Sequence, residues 1–216
     1  YRFPGNVIGV DRQGKVPTTM NYSLSIQRQI GFGTVLDVGY VGSLARHLLW
    51  RRNLNAIPFG ANFDPRNADP SAPASPLAPA FLRNYTGYNN VDMSEQASSS
   101  NYHSMQVTAN RRFARGIEFG LAWTWSKALS YNDSDTEGVS TLVPVRVWNY
   151  GLADYDRTHV VKINYQWDVP RLPLQRRLLD VLVNHWQLSG ITSFISGAPM
   201  PVNFSTTVAT DITGSP

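Results

Sequence analysis

The chain has no cysteine in its 216 residues. Disulfides and thiolate metal sites are therefore excluded, and an oxidising compartment is permitted without being required. Nowhere is there an apolar run of the roughly 18 residues that a transmembrane helix needs. The opening Tyr1-Arg2-Phe3-Pro4-Gly5 lacks the basic start and apolar block of a signal peptide. Charge is also scarce. Asp, Glu, Lys and Arg make up 16% of the residues, against about 25% in ordinary soluble domains. The net charge of +4 comes from dispersed cations, with short pairs such as Arg51-Arg52, Arg111-Arg112 and Arg176-Arg177. No basic stripe accompanies a recognisable nucleic-acid fold, so nucleic acid is not an expected partner. Weak attraction to anionic surfaces is compatible with this balance.

What the chain does have is alternation. In Ile117 to Leu129, the odd positions carry Ile117, Phe119, Leu121, Trp123, Trp125 and Leu129, broken by Lys127. The even positions carry Glu118, Gly120, Ala122, Thr124, Ser126 and Ala128. Side chains on a strand point to opposite faces in turn, so this is a β-strand with one greasy aromatic face and one small polar face. It is also long. Globular strands usually run about 5–6 residues, and a tilted membrane-crossing strand needs roughly 9–11.

The same rhythm recurs along the chain. It predicts strands at about 20–30, 34–44, 103–113, 117–129, 159–169 and 186–196. The first places Met20, Tyr22, Leu24, Ile26 and Ile30 on one side, with Arg28 the exception. Gly31-Phe32-Gly33 and Ala114-Arg115-Gly116 read as tight turns. Residues 1–16 and 197–216 read as loop. Regularity disappears over about 46–100, a stretch punctuated by Pro58, Pro65, Pro70, Pro73, Pro76 and Pro79, with a short helix conceivable near Pro79 to Asn84. A second long connection covers about 130–156, and a turn of helix is conceivable at Arg176 to Val183. Short and long connections thus alternate, as in a barrel meander that turns tightly on the periplasmic side and widely outside the cell.

The expected fold is all-β: an antiparallel up-and-down meander of about six strands of a transmembrane β-barrel, spanning 1–216. Only helices and closed barrels satisfy every backbone group in lipid. A soluble β-sandwich also alternates. Two features favour the barrel. The polar face is mostly Ser, Thr, Asn, Gln and Gly rather than Lys and Glu, and Tyr22, Tyr40, Trp167 and Trp186 sit near strand ends, as interfacial girdles do.

Four blocks carry a resemblance: NYSLSIQRQIGFGTVLDVGYVGSLARHL, NYHSMQVTANRRFARGIEFGLAWTWSKAL, WNYGLADYDRTHVVKINYQWDVP and NHWQLSGITSFISGAPMPV. Together they resemble the C-terminal barrel of TonB-dependent outer-membrane receptors, in particular the Oar-like group with a carboxypeptidase-regulatory-like domain. The resemblance implies a barrel of roughly 22 strands closed by a plug. It also implies an outer-membrane location, outer-membrane lipid as surroundings, an unidentified extracellular substrate, and energy delivered through TonB to a segment ahead of the plug. No plug or TonB-contacting segment is found, and six strands cannot close such a barrel, so the expectation is a fragment. A passive porin or structural barrel would share the pattern.

Several residues stand out as chemistry. Asp133, Asp135 and Glu137 begin like a calcium loop, D-x-D-x-E-G, but position twelve is Pro144 rather than Glu. Acidic loops that are merely solvated are far commoner, so no metal is expected here. Trp148, Tyr150, Asp154, Tyr155 and Asp156, with Arg157, could form an aromatic and acidic platform for sugars or peptides, or simply an interfacial belt. Ser104, His159 and Asp156 make a catalytic set on paper only, without a G-x-S-x-G elbow. No enzyme activity and no cofactor are expected. Arg28 and Lys127 could reach lipid headgroups or lipopolysaccharide phosphate.

Overall fold

A computed structural model describes residues 5–141, 144–173, 180, 182 and 184–200. In chain order the strands are β1 (Gly5–Val10), β2 (Thr18–Gly31), β3 (Thr34–Asn53), β4 (Ala68–Asp69), β5 (Ala72–Pro76), β6 (Tyr88–Ala114), β7 (Ile117–Ser130), β8 (Gly138–Val139), β9 (Gly151–Leu152), β10 (His159–Asp168) and β11 (Gln187–Ile195). Two one-turn helices, α1 (Pro79–Leu82) and α2 (Val145–Trp148), sit in the long connections. The main sheet runs β11-β10-β7-β6-β3-β2, and each neighbouring pair along that path is antiparallel. The sheet is not closed: β2 and β11 are its two edges among the described residues.

Register converts the sequence alternation into two surfaces. One transverse row reads Ile26, Val38, Val107, Trp123, Val161 and Phe194. The neighbouring row, on the opposite face, reads Gln27, Asp37, Thr108, Ala122, Lys162 and Ser193. The strands from β2 to β10 keep their large apolar residues mainly on one face, which a one-residue slip would destroy, whereas β11 puts Leu188 and Phe194 on that face and Ile191 and Ile195 on the other. Nothing among the described residues covers the apolar face. Leu24 and Ile26 are each 71% exposed and Phe194 62%. A β-sandwich would bury these side chains under a second sheet; here they are bare. No described helix is long and apolar enough to cross a membrane.

Glycines on the sheet are covered by aromatic rings. A β-carbon on Gly42 would run into the Tyr22 ring, and one on Gly190 into the Tyr165 ring. Each ring lies flat over its cross-strand glycine and fills the space that a side chain would occupy. At the tight turns, Phe32 (φ 49°) and Gly33 (φ 70°), and Arg115 (φ 54°) and Gly116 (φ 78°), take the paired left-handed conformation of two-residue hairpins.

Three expectations need correction. The loop expected over 46–100 is much shorter, because β3 continues to Asn53 and β6 begins at Tyr88. Ladder pairing persists through Trp50↔Glu95, Arg51↔Ser94 and Asn53↔Asp92, with register shifts between Arg46, Leu48 and Trp50. These upper segments mix polar residues on both faces with Leu48, Leu49 and Trp50 in succession, so they show no alternation, yet backbone pairing does not require it. Residues 1–16 are not all loop either: β1 pairs in parallel with β6 through Val7↔Val91 and Val10↔Ser94. The connection over 130–156 contains β8, which pairs in parallel with β3, and β9, which pairs with β7. The helix expected near Pro79 is present as α1. The helical turn at Arg176 to Val183 and the tail from 201 lie largely or wholly outside the described residues.

Candidate substrate-facing site

The strand lengths set the site above the membrane. At about 3.3 Å per residue and a tilt near 40°, the 14 residues of β7 rise roughly 35 Å and the 27 of β6 roughly 70 Å. A barrel's apolar band is only about 25 Å tall. The upper parts of β3 and β6 must therefore stand clear of lipid as a wall, on the side of the long connections.

Trp50 anchors this wall and is 4% exposed. Its indole Nε1–H donates to Glu95 Oε2 at 2.8 Å, and the other carboxylate oxygen of Glu95 takes Arg52 Nη2 at 2.7 Å. Tyr131 meets Trp50 edge-on with ring centres 5.7 Å apart, and Tyr150 packs on Tyr131 at 5.0 Å. The Arg146 guanidinium lies 5.3 Å from the Trp50 ring and 5.4 Å from the Tyr131 ring, and it donates to Ala97 O at 3.0 Å. Asn132 ties in the same loop, donating to Leu49 O at 3.0 Å and pairing with Ser98. The connection between β7 and β10 is thus clamped to the wall by aromatic, cation–π and charge-assisted contacts.

The connection between β3 and β6 is closed differently. Asn55 is fully buried. Its amide donates to Tyr85 O, Tyr88 O and Asn89 O, and its Oδ1 accepts from Tyr85 N at 2.7 Å. Arg83 adds a bond to Asn55 O at 2.6 Å. Further out, Arg66 grips Asp64 through Nε and Nη2, the latter at 2.6 Å. That contact, followed by the Arg66 backbone N–H, lowers the Asp64 carboxyl to about 2.

The sequence candidates fall into separate places. Asp133 accepts from Ser130 Oγ and Asp154 N, and Glu137 accepts from Asp133 N at 2.6 Å. Asp135 is exposed. Two of these three carboxylates thus stabilise the loop backbone, and no group of three or more metal-binding side chains gathers among the described residues. Tyr150 belongs to the clamp, with its hydroxyl taking Asn101 Nδ2 at 2.6 Å. Trp148, at the end of α2, is 62% exposed and Tyr155 is 58% exposed. Asp154 gives its backbone N–H to Asp133 and its carbonyl to Arg157. Asp156 is 4% exposed and accepts from Ala128 N at 2.7 Å. It is a loop brace, not an open carboxylate.

The paper triad does not assemble. Ser104 is one residue from Met105, whose row continues through Trp125 to His159 on the apolar face. Ser104 therefore points to the opposite face from His159. His159 instead stacks on Trp123, whose Nε1 lies 3.3 Å from its Nδ1. Arg28 and Lys127 are also separated. Arg28 shares a row with Leu36, Ala109 and Leu121, and Lys127 lies six residues further along β7, roughly 20 Å toward the long-loop end. Trp50, Asn55, Glu95, Tyr131 and Arg146 were not legible as site residues. Only a tryptophan within a supposed loop hinted at any of them.

A sheet with one lipid-wettable face, tight turns at one end and a tall clamped wall at the other is the wall of a membrane β-barrel. The chain belongs to the outer membrane beta barrel domain family, whose model matches residues 2–216. Its place is accordingly the outer membrane of a Gram-negative bacterium. No curated protein and no solved structure gives a significant match.

Proposed function

We propose that this barrel wall belongs to a TonB-dependent receptor that takes up an unidentified extracellular substrate by active transport. The observation that carries the reading is the tall upper wall of β3 and β6 with the β7–β10 connection clamped to it. A rigid scaffold that holds loops above the membrane suits capture of a ligand before transport. The resemblance of the four sequence blocks to TonB-dependent receptors supports the same reading. In this arrangement the tight turns face the periplasm and the long connections face outside. Exposed Trp148 and Tyr155 are the residues placed to meet substrate, and the surrounding lipid and the TonB system are the partners.

A passive or structural barrel is the second reading, and the open six-stranded sheet is compatible with it. The intact protein reconstituted in planar bilayers separates the two. A gated receptor shows little resting conductance, and its uptake in cells stops when the inner membrane is de-energised. Steady conductance together with energy-independent uptake would reject active transport.

A further inference from the structure

On the face of the upper wall opposite Trp50, a cavity of about 460 Å3 lies between the strands and the β7–β10 connection. Arg51, Asn53 and Asp92 line it from the strands, and Thr136 and Thr141 from the connection. Register brings the strand residues together. Trp50↔Glu95, Arg51↔Ser94, Arg52↔Met93 and Asn53↔Asp92 follow one another without a shift. Arg51, Asn53 and Asp92 therefore share one face, while Trp50, Arg52 and Glu95 hold the other. β8 pairs with β3 at Arg51↔Gly138 and closes one side. We propose that this cavity binds a sugar acid, with its carboxylate on Arg51 and Asn53 and a ring hydroxyl on Asp92. The proposal deepens the receptor reading and rests on it, because it names the class of ligand that the outer wall meets.

Unpartnered donors argue for this occupant. Arg51 Nε and Asn53 Nδ2 are both buried without an acceptor among the described residues. Asn53 is 9% exposed, and its Oδ1 already accepts from the Asn55 and Val91 N–H groups. Turning the amide over would orphan those two donors, so its orientation is fixed. Buried donors of this kind cost stability unless an acceptor joins them. The ion pairs among the described residues join other groups, Arg52 with Glu95 and Arg66 with Asp64. Arg51 thus brings an unpaired charge and a planar fork of N–H groups, the arrangement that grips a carboxylate through two parallel bonds. Asp92 also lacks an ion-pair partner there, and an ionised carboxylate can only accept. The ligand must then carry an anionic acceptor with a hydrogen-bond donor beside it. A sugar acid carries both on one ring. The rest of the lining agrees. Its apolar side chain, Val139, is 7% exposed, and Thr136 and Thr141 offer hydroxyls. Apolar peptide side chains would find no floor here. Among the described residues no aromatic ring lines the cavity for a neutral sugar to stack on, so the carboxylate must supply the affinity.

The test titrates the full-length protein in detergent micelles with galacturonate and with galactose, read by saturation-transfer NMR. The two probes differ at one carbon, a carboxylate in the first and a hydroxymethyl group in the second. Galacturonate should bind about ten-fold tighter, the scale of one charge-assisted hydrogen bond. Arg51→Gln should abolish that preference and Arg51→Lys should keep part of it. Asp92→Asn should weaken both probes alike, since it faces a hydroxyl they share. Arg66→Gln, whose ion pair lies elsewhere, should change nothing. Hydrogen exchange across β3 and β6 in each variant separates a lost contact from a lost fold. A preference that survives Arg51→Gln in a folded variant overturns the site, and so does one that Arg66→Gln abolishes as fully. Equal binding of the two probes, or binding of neither, also overturns it. Acetate that binds as tightly as galacturonate overturns the sugar acid. The receptor reading is tested separately, by conductance and energised uptake. Energised uptake without a galacturonate preference rejects the site and leaves the receptor standing.

Discussion

Replacing Trp50 with alanine should release the β7–β10 connection from the wall while leaving the membrane sheet folded. The magnitude follows from what the ring touches. Trp50 is 4% exposed, and truncating a buried aromatic costs about 3–5 kcal/mol. Within that sum the edge contact with Tyr131 accounts for about 0.5–1.5 kcal/mol, and the Arg146 contact for about 0.5–2 kcal/mol. Loss of the indole N–H leaves a charged acceptor, Glu95 Oε2, without one of its donors, although Arg52 still holds the other oxygen. The contacts are shared, so their values do not add. Because the ladder of β3 and β6 continues below Trp50, the loss should appear as local opening. Hydrogen exchange read by mass spectrometry is the assay. Residues 131–141 and 144–150 should lose about two to three orders of magnitude of protection, and residues 103–113 and 117–125 should not change. Trp50→Phe should retain the ring contact and cost less. If protection at 131–141 and 144–150 is unaltered by Trp50→Ala, the clamp is not what holds the loop.

Four further outcomes follow from named contacts. Asp156→Ala leaves the Ala128 N–H buried without an acceptor and should cost about 1–3 kcal/mol in detergent unfolding, whereas Asp156→Asn should cost less; equal losses would remove the brace. Gly42→Ala should displace the Tyr22 ring at about 1–3 kcal/mol, and a Tyr22→Ala background should relieve most of it, as a double-mutant cycle would show. The Asp64 carboxyl, held at about 2 in the fold against 3.8 ordinarily, stabilises its turn fully above pH 3.8, and that contribution disappears as pH falls through about 2; Arg66→Ala should return its NMR titration midpoint to the ordinary value. Spin labels at Leu121 and Ala122 in liposomes should differ, with oxygen favouring 121 and a soluble nickel relaxer favouring 122; equal access would contradict the two-sided sheet.

How much was legible depended on the environment of each segment. Inside the bilayer, lipid on one face and water on the other force a period of two, so β2, β7 and β10 were readable to within a residue or two. Above the bilayer both faces meet polar surroundings. There Arg51-Arg52-Asn53 and Ser98-Ser99-Ser100 look like loop, although each lies within a strand. The site residues were hidden for a related reason. Trp50, Glu95 and Arg146 lie 45 and 51 residues apart in the chain (50 to 95, 95 to 146), and no local pattern joins them.

The amino-acid sequence by itself determined a class: an all-β chain of long strands, each with one apolar aromatic face and one small polar face, which favours a membrane barrel over a soluble sandwich. That followed because strand periodicity is local, written in each residue and its second neighbour. Tertiary structure alone decided that Trp50, Tyr131 and Arg146 form a clamp, that Asp156 is a buried brace, and that Arg28 and Lys127 stand at opposite ends of the apolar face. Those outcomes depend on inter-strand register and on how two long connections fold back, and register is a relation between distant segments that no single stretch of chain contains.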